Sequence, residues 1–145
     1  MHFAVCGLHL SKGPLNYQLT DIQSRLIRAT KSAPRYTLHA LSSEGSPTKP
    51  GMIYHPLGGP HCGSISLEVW DVPDNQLGAL YKFVPSPLAL GTVFLEDGSS
   101  VKGFVCEGWA SDPAACKAVG ITTEDITKYG GWREWVSANN QTSAK

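Results

Sequence analysis

The residues with the clearest capacity for chemistry lie near the N-terminus, in Cys6-Gly7-Leu8-His9-Leu10 followed by Pro14-Leu15-Asn16. A strand that ends on glycine and passes through a turn into a helix start can aim several backbone N–H groups at one point. Such a concavity binds carboxylate or phosphate. Gly7 permits close backbone approach to a ligand, and His9 is the imidazole of that turn, able to exchange a proton near neutral pH. The plainer alternative is that His9 bonds a loop carbonyl and Gly7 only makes room for packing. Lys102, on a strand reading Val101-Lys102-Gly103-Phe104-Val105, either neutralises an anionic substrate or is a solvated strand lysine. Glu68 and Glu107 sit in or at the end of apolar strands, where burial would raise them into the range of a general acid or base. Capping a loop is their structural alternative. Asp125 after Thr122-Thr123 reads as helix-start chemistry, and Tyr129, Trp132 and Trp135 read as a C-terminal apolar plug. His55 and His61 flank a glycine-rich run, with a spacing that suits no familiar metal site. The sequence holds no P-loop, GxGxxG after the first strand, HExxH or GxSxG. No cofactor or metal is expected, and any catalysis must come from scattered residues at strand ends.

The elements that must position these residues follow from hydrophobic spacing. Phe3–Leu8 reads as a buried strand cut by Gly7, and Ser11–Pro14 as a turn. Leu15, Leu19, Ile22 and Leu26 recur at helical spacing, which predicts a helix entered at Pro14 and closed by Ala33-Pro34. Tyr36–Leu41 alternates as a strand would. Ser42–Gly51 and Leu57–Gly63 read as loops. Ser64–Val72 predicts a strand with Ile65, Leu67 and Val69 on one face, Glu68 and Trp70 on the other. Pro73-Asp74 opens a short helix through Leu77 and Leu80. Leu90–Glu96 and Val101–Glu107 form a hairpin across Asp97-Gly98, and Pro113–Val119 reads as helix. Many short strands with few helices predict an α+β fold on an antiparallel sheet or small barrel.

The chain has 145 residues, 41% hydrophobic and 17% charged, enough to bury one core. One domain over 1–138 is expected, with a polar, flexible tail over 139–145. Lys plus Arg and Asp plus Glu both total 12, so the formal charge is zero. That balance argues against a nucleic-acid or anionic-membrane partner. Cys6, Cys62, Cys106 and Cys116 show no CxxC or zinc-finger spacing. The apolar run Phe3–Cys6 is too short for a signal or membrane segment. A reducing, cytoplasmic location is the expectation.

Gly7-Leu8-His9-Leu10 with Pro14–Leu19, Ala33-Pro34-Arg35-Tyr36, Lys49-Pro50-Gly51, Leu67-Glu68-Val69-Trp70, Val84–Leu88, Val101–Phe104 and Asp125–Thr127 with Gly130–Arg133 carry a family resemblance. From Phe3 to about Val136 the sequence resembles the C-terminal domain of allophanate hydrolase, within the gamma-glutamylcyclotransferase-like fold group. The resemblance implies a small mixed barrel with helices at one side and makes the glycine turn the ligand cradle. The fold group usually has Tyr where this chain has Cys6. Cyclotransferases also carry an acid where this chain has Tyr81–Pro85, a stretch without one, so glutamyl cyclisation is not expected.

In the resembled family the amidase domain removes ammonia from allophanate, and the C-terminal domain decarboxylates the resulting N-carboxycarbamate. Losing CO2 leaves negative charge on nitrogen, so the step needs a proton donor. Two mutually repelling carboxylates need N–H donors and a cation. On this reading His9 is the acid, the amides around Gly7, Leu8 and Leu10 hold one carboxylate, and Asn16, Tyr36 and Lys102 add contacts. With no amidase in this sequence, the expectation is a stand-alone decarboxylase of urea and allophanate nitrogen metabolism served by a separate amidase, or a relative acting on another small dicarboxylate or amide. The alternative is a non-catalytic assembly module that pairs with itself or with an amidase through its apolar C-terminal segment.

Overall fold

A computed structural model of the chain describes Met1–Asn139, and the tail predicted from 139 onward otherwise lies outside the described residues. In chain order the elements are β1 (His2–Val5), α1 (Tyr17–Thr20), β2 (Arg25–Lys31), β3 (Tyr36–Ser42), β4 (Lys49–Tyr54) and β5 (Ser66–Asp71). They continue with α2 (Leu77–Tyr81), β6 (Leu88–Phe94), β7 (Ser100–Cys106), α3 (Pro113–Ala118), β8 (Thr122–Asp125) and α4 (Trp132–Asn139). A five-stranded sheet runs β2-β5-β1-β7-β6, and a three-stranded sheet runs β4-β3-β8. All pairings are antiparallel except β1 with β7, where Phe3 lies opposite Lys102 and Ala4 opposite Gly103. The fold is α+β, but the two sheets do not close into the expected barrel, because β2 and β6 end one sheet and β4 and β8 end the other.

The central strand β1 is buried on both faces through Phe3, Ala4 and Val5. Its neighbour β5 is too: Leu67 and Val69 are buried, and so are Glu68 and Trp70 on the other face. The period-2 alternation read in this strand therefore separates two buried faces rather than an inner and an outer one. The hairpin β6–β7 forms as predicted, turned at Gly98 with φ +89°.

Two expectations fail for local physical reasons. The helix predicted from Leu15 to Leu26 stops after Thr20. Gln23 sits in the left-handed region at φ +66°, and the chain then enters β2. Leu19 alone of the four spaced residues is fully buried, whereas Leu26 is 47% exposed. Arg25, Arg28 and Lys31, with a bulge between Leu26 and Arg28, are the marks of a charged edge strand. The predicted loop Ser42–Gly51 gives way to β4 at Lys49, and Pro50 is accommodated because β4 is an edge. Thr122–Asp125 is strand, and Asp125 Oδ1 caps the 3₁₀ turn beyond it by accepting from Thr127 N (2.9 Å) and Thr127 Oγ1 (2.6 Å).

The C-terminal plug is real: Trp132 and Trp135 are buried with ring centroids 5.0 Å apart. Those rings are therefore spent in the chain's own core. No described helix is long and apolar enough to cross a membrane.

Candidate functional site

The segment after β1 folds back on itself through its own carbonyls. Leu10 N–H donates to Gly7 O (3.0 Å), Gly13 N–H to Leu10 O (2.8 Å) and Leu15 N–H to Leu8 O (2.9 Å). Asn16 Nδ2 donates to His9 O (2.9 Å), so Asn16 braces the turn from behind. The N–H groups of Gly7, Leu8 and His9 find no acceptor among the described residues. Main-chain donors without partners are costly unless solvent or a ligand satisfies them. Gly7 is required sterically, because a Cβ there would lie 2.0 Å from Pro50 Cγ.

A buried carboxylate holds the far end of this turn. Glu68 Oε1 accepts from Ser11 N (2.8 Å) and Trp70 Nε1 (3.1 Å), and Oε2 accepts from Ser11 Oγ (2.5 Å). Arg133 stands 3.4 Å from the same carboxylate and donates to Ser11 O. Burial pushes the Glu68 carboxyl up, but the Ser11, Trp70 and Arg133 contacts outweigh it and hold the group below its usual range. Glu68 is thus an ionised clamp and not the burial-raised acid the sequence allowed. Glu107 accepts from Trp109 Nε1 (2.7 Å) at an exposed position, and its side chain makes no capping bond to the following turn.

His9 sits over Phe104, ring centroids 4.8 Å apart, with Nε2 2.7 Å from Gln18 Oε1. That bond assigns the proton to Nε2 and leaves Nδ1, without a partner among the described residues, to gain or lose one. Burial pulls the His9 imidazole below its ordinary value, against an opposing pull from Gln18, so the resting ring is neutral at pH 7.

His9 opens onto a cleft of about 190 Å³ lined by Cys6, Gly7 and Leu8 on one side and by Lys49, Pro50 and Phe104 on the other. Leu80, Phe83, Val84 and Pro85 close it with apolar surface. Burial pushes the Cys6 thiol up to about 12, so it is inert lining. No Asp or Glu lines the cleft among the described residues.

Gly7, Leu8 and His9 therefore meet as the sequence predicted. The other predicted contacts do not. Leu10 N–H is taken by Gly7 O, and its side chain is buried beside Glu68 and Arg133 in a separate depression. Tyr36 is fully buried, its hydroxyl accepting from Phe94 N (2.9 Å). Lys102 is exposed and reaches Thr92 Oγ1 (3.2 Å), outside the cleft. The cation that does line the cleft is Lys49, half-buried and shifted down by burial. Its signal in the sequence is the Lys49-Pro50-Gly51 match, in a segment that reads as loop. Gln18 and Phe104, which hold the imidazole, had their signal in the Pro14–Leu19 and Val101–Phe104 matches.

The family described as the allophanate hydrolase C-terminal domain matches residues 1–137. This chain belongs to that family. It is 39% identical to a urea amidolyase of Saccharomyces cerevisiae over 132 residues, which is 91% of this chain and 7% of that protein. A solved Kluyveromyces lactis allophanate hydrolase superposes with TM-score 0.82 at 35% identity, covering 93% of this chain and 20% of the other. A solved gamma-glutamyl cyclotransferase shares the fold at TM-score 0.51 and 10% identity, covering 98% of this chain and 81% of that one. The chain thus spans only a small part of the amidolyase and hydrolase relatives it matches.

Proposed function

We propose that this chain binds a small, doubly carboxylated nitrogen compound in the Gly7–His9 cleft and removes CO2 from it, N-carboxycarbamate being the substrate that its family favours. In that step the C–N bond breaks, its electron pair stays on nitrogen, CO2 leaves, and one proton is added to give carbamate. The observation that carries the reading is the meeting of one imidazole, three unpartnered main-chain donors and Lys49 in a largely apolar cleft. The donors and Lys49 hold the carboxylates. The apolar wall of Leu80, Phe83, Val84 and Pro85 strips water from the carboxylate that departs.

His9 rests neutral, and a bound dianion restores its affinity for a proton. The proton arrives with the substrate, rests on Nδ1 and is passed to the nitrogen as the bond breaks. Gln18 keeps Nε2 out of this exchange. Cyclisation of a glutamyl substrate lacks the acid it needs, since no carboxylate lines the cleft among the described residues. The assembly alternative loses the surface it called on, because Trp132 and Trp135 face the chain's own core. The substrate must come from hydrolysis of an amide with release of ammonia, so an amidase is the supplying activity.

The test is CO2 release from N-carboxycarbamate generated in situ by an amidase, measured above the spontaneous rate. His9→Asn should lose about 10²–10⁴-fold of the enzymic rate with an unchanged melting temperature. An unchanged rate in that variant removes His9 from the mechanism.

A further inference from the structure

A second group of chemistry-bearing side chains lies outside the cleft, at the loop that joins β4 to β5. His55, His61 and Cys62 each place a donor atom within 4.8 Å of the others. We propose that these three side chains form a zinc site that pins this loop against the β3–β8 edge.

The backbone brings both loop stems to the start of β3. His55 N–H donates to Arg35 O (2.7 Å), and Gly63 and Tyr36 exchange both main-chain bonds (2.8 and 3.2 Å). Cys62 N–H closes a turn onto Gly59 O (3.0 Å), which sets His61 and Cys62 side by side under His55. Gly59 has φ +130°, a region glycine alone enters readily, and a Cβ there would stand 3.0 Å from His61 Cε1 and Nδ1. The loop's backbone is thus shaped around the position of the His61 ring.

The donor chemistry selects the ion. Two imidazoles and a thiolate suit zinc, whereas calcium and magnesium require oxygens. Tetrahedral zinc sets such donors roughly 3.3–3.7 Å apart, so side-chain rotation of about 1 Å closes the set. A neighbouring hydroxyl supplies the orientation that ligating histidines need. Thr37 Oγ1 lies 2.8 Å from His55 Nε2 and 2.9 Å from His39 Nε2. One hydroxyl has one proton to give, so at least one of the two rings donates to it. With His55 as the donor, its Nδ1 keeps a lone pair for the metal. Asp125 and Thr123 line the same depression, and the Thr123 hydroxyl is buried with no partner among the described residues. The fourth position is left to water or to the Asp125 oxygen that does not cap the following turn.

Tag-free, chelator-stripped chain titrated with Zn²⁺ alone should bind one equivalent, and Co²⁺ should show a thiolate-to-metal charge-transfer band. Cys62→Ser should abolish that band and weaken zinc at least ~100-fold. Thr37→Val should weaken it about 10–100-fold, and Thr37→Ser should restore it. Melting curves in chelator should match the parent for Cys62→Ser, separating metal loss from misfolding. His9→Asn should bind zinc unchanged, which keeps this site independent of the cleft. Absence of a bound equivalent, absence of the charge-transfer band, or undiminished binding by Cys62→Ser overturns the proposal and leaves surface-histidine binding only.

Discussion

The turn carrying His9 and the loop carrying His55, His61 and Cys62 use the same residue types to opposite ends. In the first, one imidazole is buried against Phe104, tied at one nitrogen, and surrounded by donors that find no protein partner. In the second, imidazoles and a thiol gather at a half-exposed rim, with a threonine hydroxyl fixing the orientation of His55. On the proposed readings, a solitary ring held neutral by burial moves protons, while a cluster of lone pairs gathers a cation. Environment, more than residue type, separates the two roles.

The largest effect expected in the first region comes from its clamp. Glu68→Ala strands Ser11 N–H and Trp70 Nε1 and should cost about 3 kcal/mol in denaturant unfolding. Malonate, a stable stand-in for the doubly carboxylated substrate, should lose its binding with it, whereas zinc binding at the second region should survive. Acid should act through the same groups. Glu68 is held low in the folded chain, so its stabilisation is complete above its unfolded value and is lost as pH falls through the folded one. His9 is also lowered, so the unfolded chain binds its proton first, and stability declines as pH drops below about 6.5. Glu68→Ala should flatten the more acidic part of that decline.

A smaller effect separates two lysines. Lys49→Met should weaken malonate about 10-fold, the value of one cation in a partly buried site. Lys102→Met should change nothing, because its ammonium stands at Thr92 and outside the cleft. Equal effects in a calorimetric titration would place the anion elsewhere.

These lysines also mark what the sequence could disclose. Local signals survived translation into structure: the Gly7–His9 turn, the β6–β7 hairpin and β3 all depend on residues within a few positions of one another. Lys49 and Lys102 differ only in where long-range pairing puts them, and strand parity says nothing about which strand end meets which turn. The burial of Tyr36 was illegible for the same reason, since its hydroxyl is consumed by Phe94, far along the chain. The helix read over Leu15–Leu26 was overextended because Leu26, in the edge strand β2, happens to fall at helical spacing from Leu19 and Ile22. Glu68 was legible as a buried acid, but its sign was not, because Ser11 and Arg133 reach it from distant segments.

The central claim is that His9 takes up its proton together with a dianion. Calorimetry of malonate binding near pH 7 in two buffers of different ionisation enthalpy reads that proton directly. The account predicts uptake of up to about one proton per malonate by the native chain and loss of most of it in His9→Asn. Binding without uptake in the native chain, or the same uptake in His9→Asn, contradicts it.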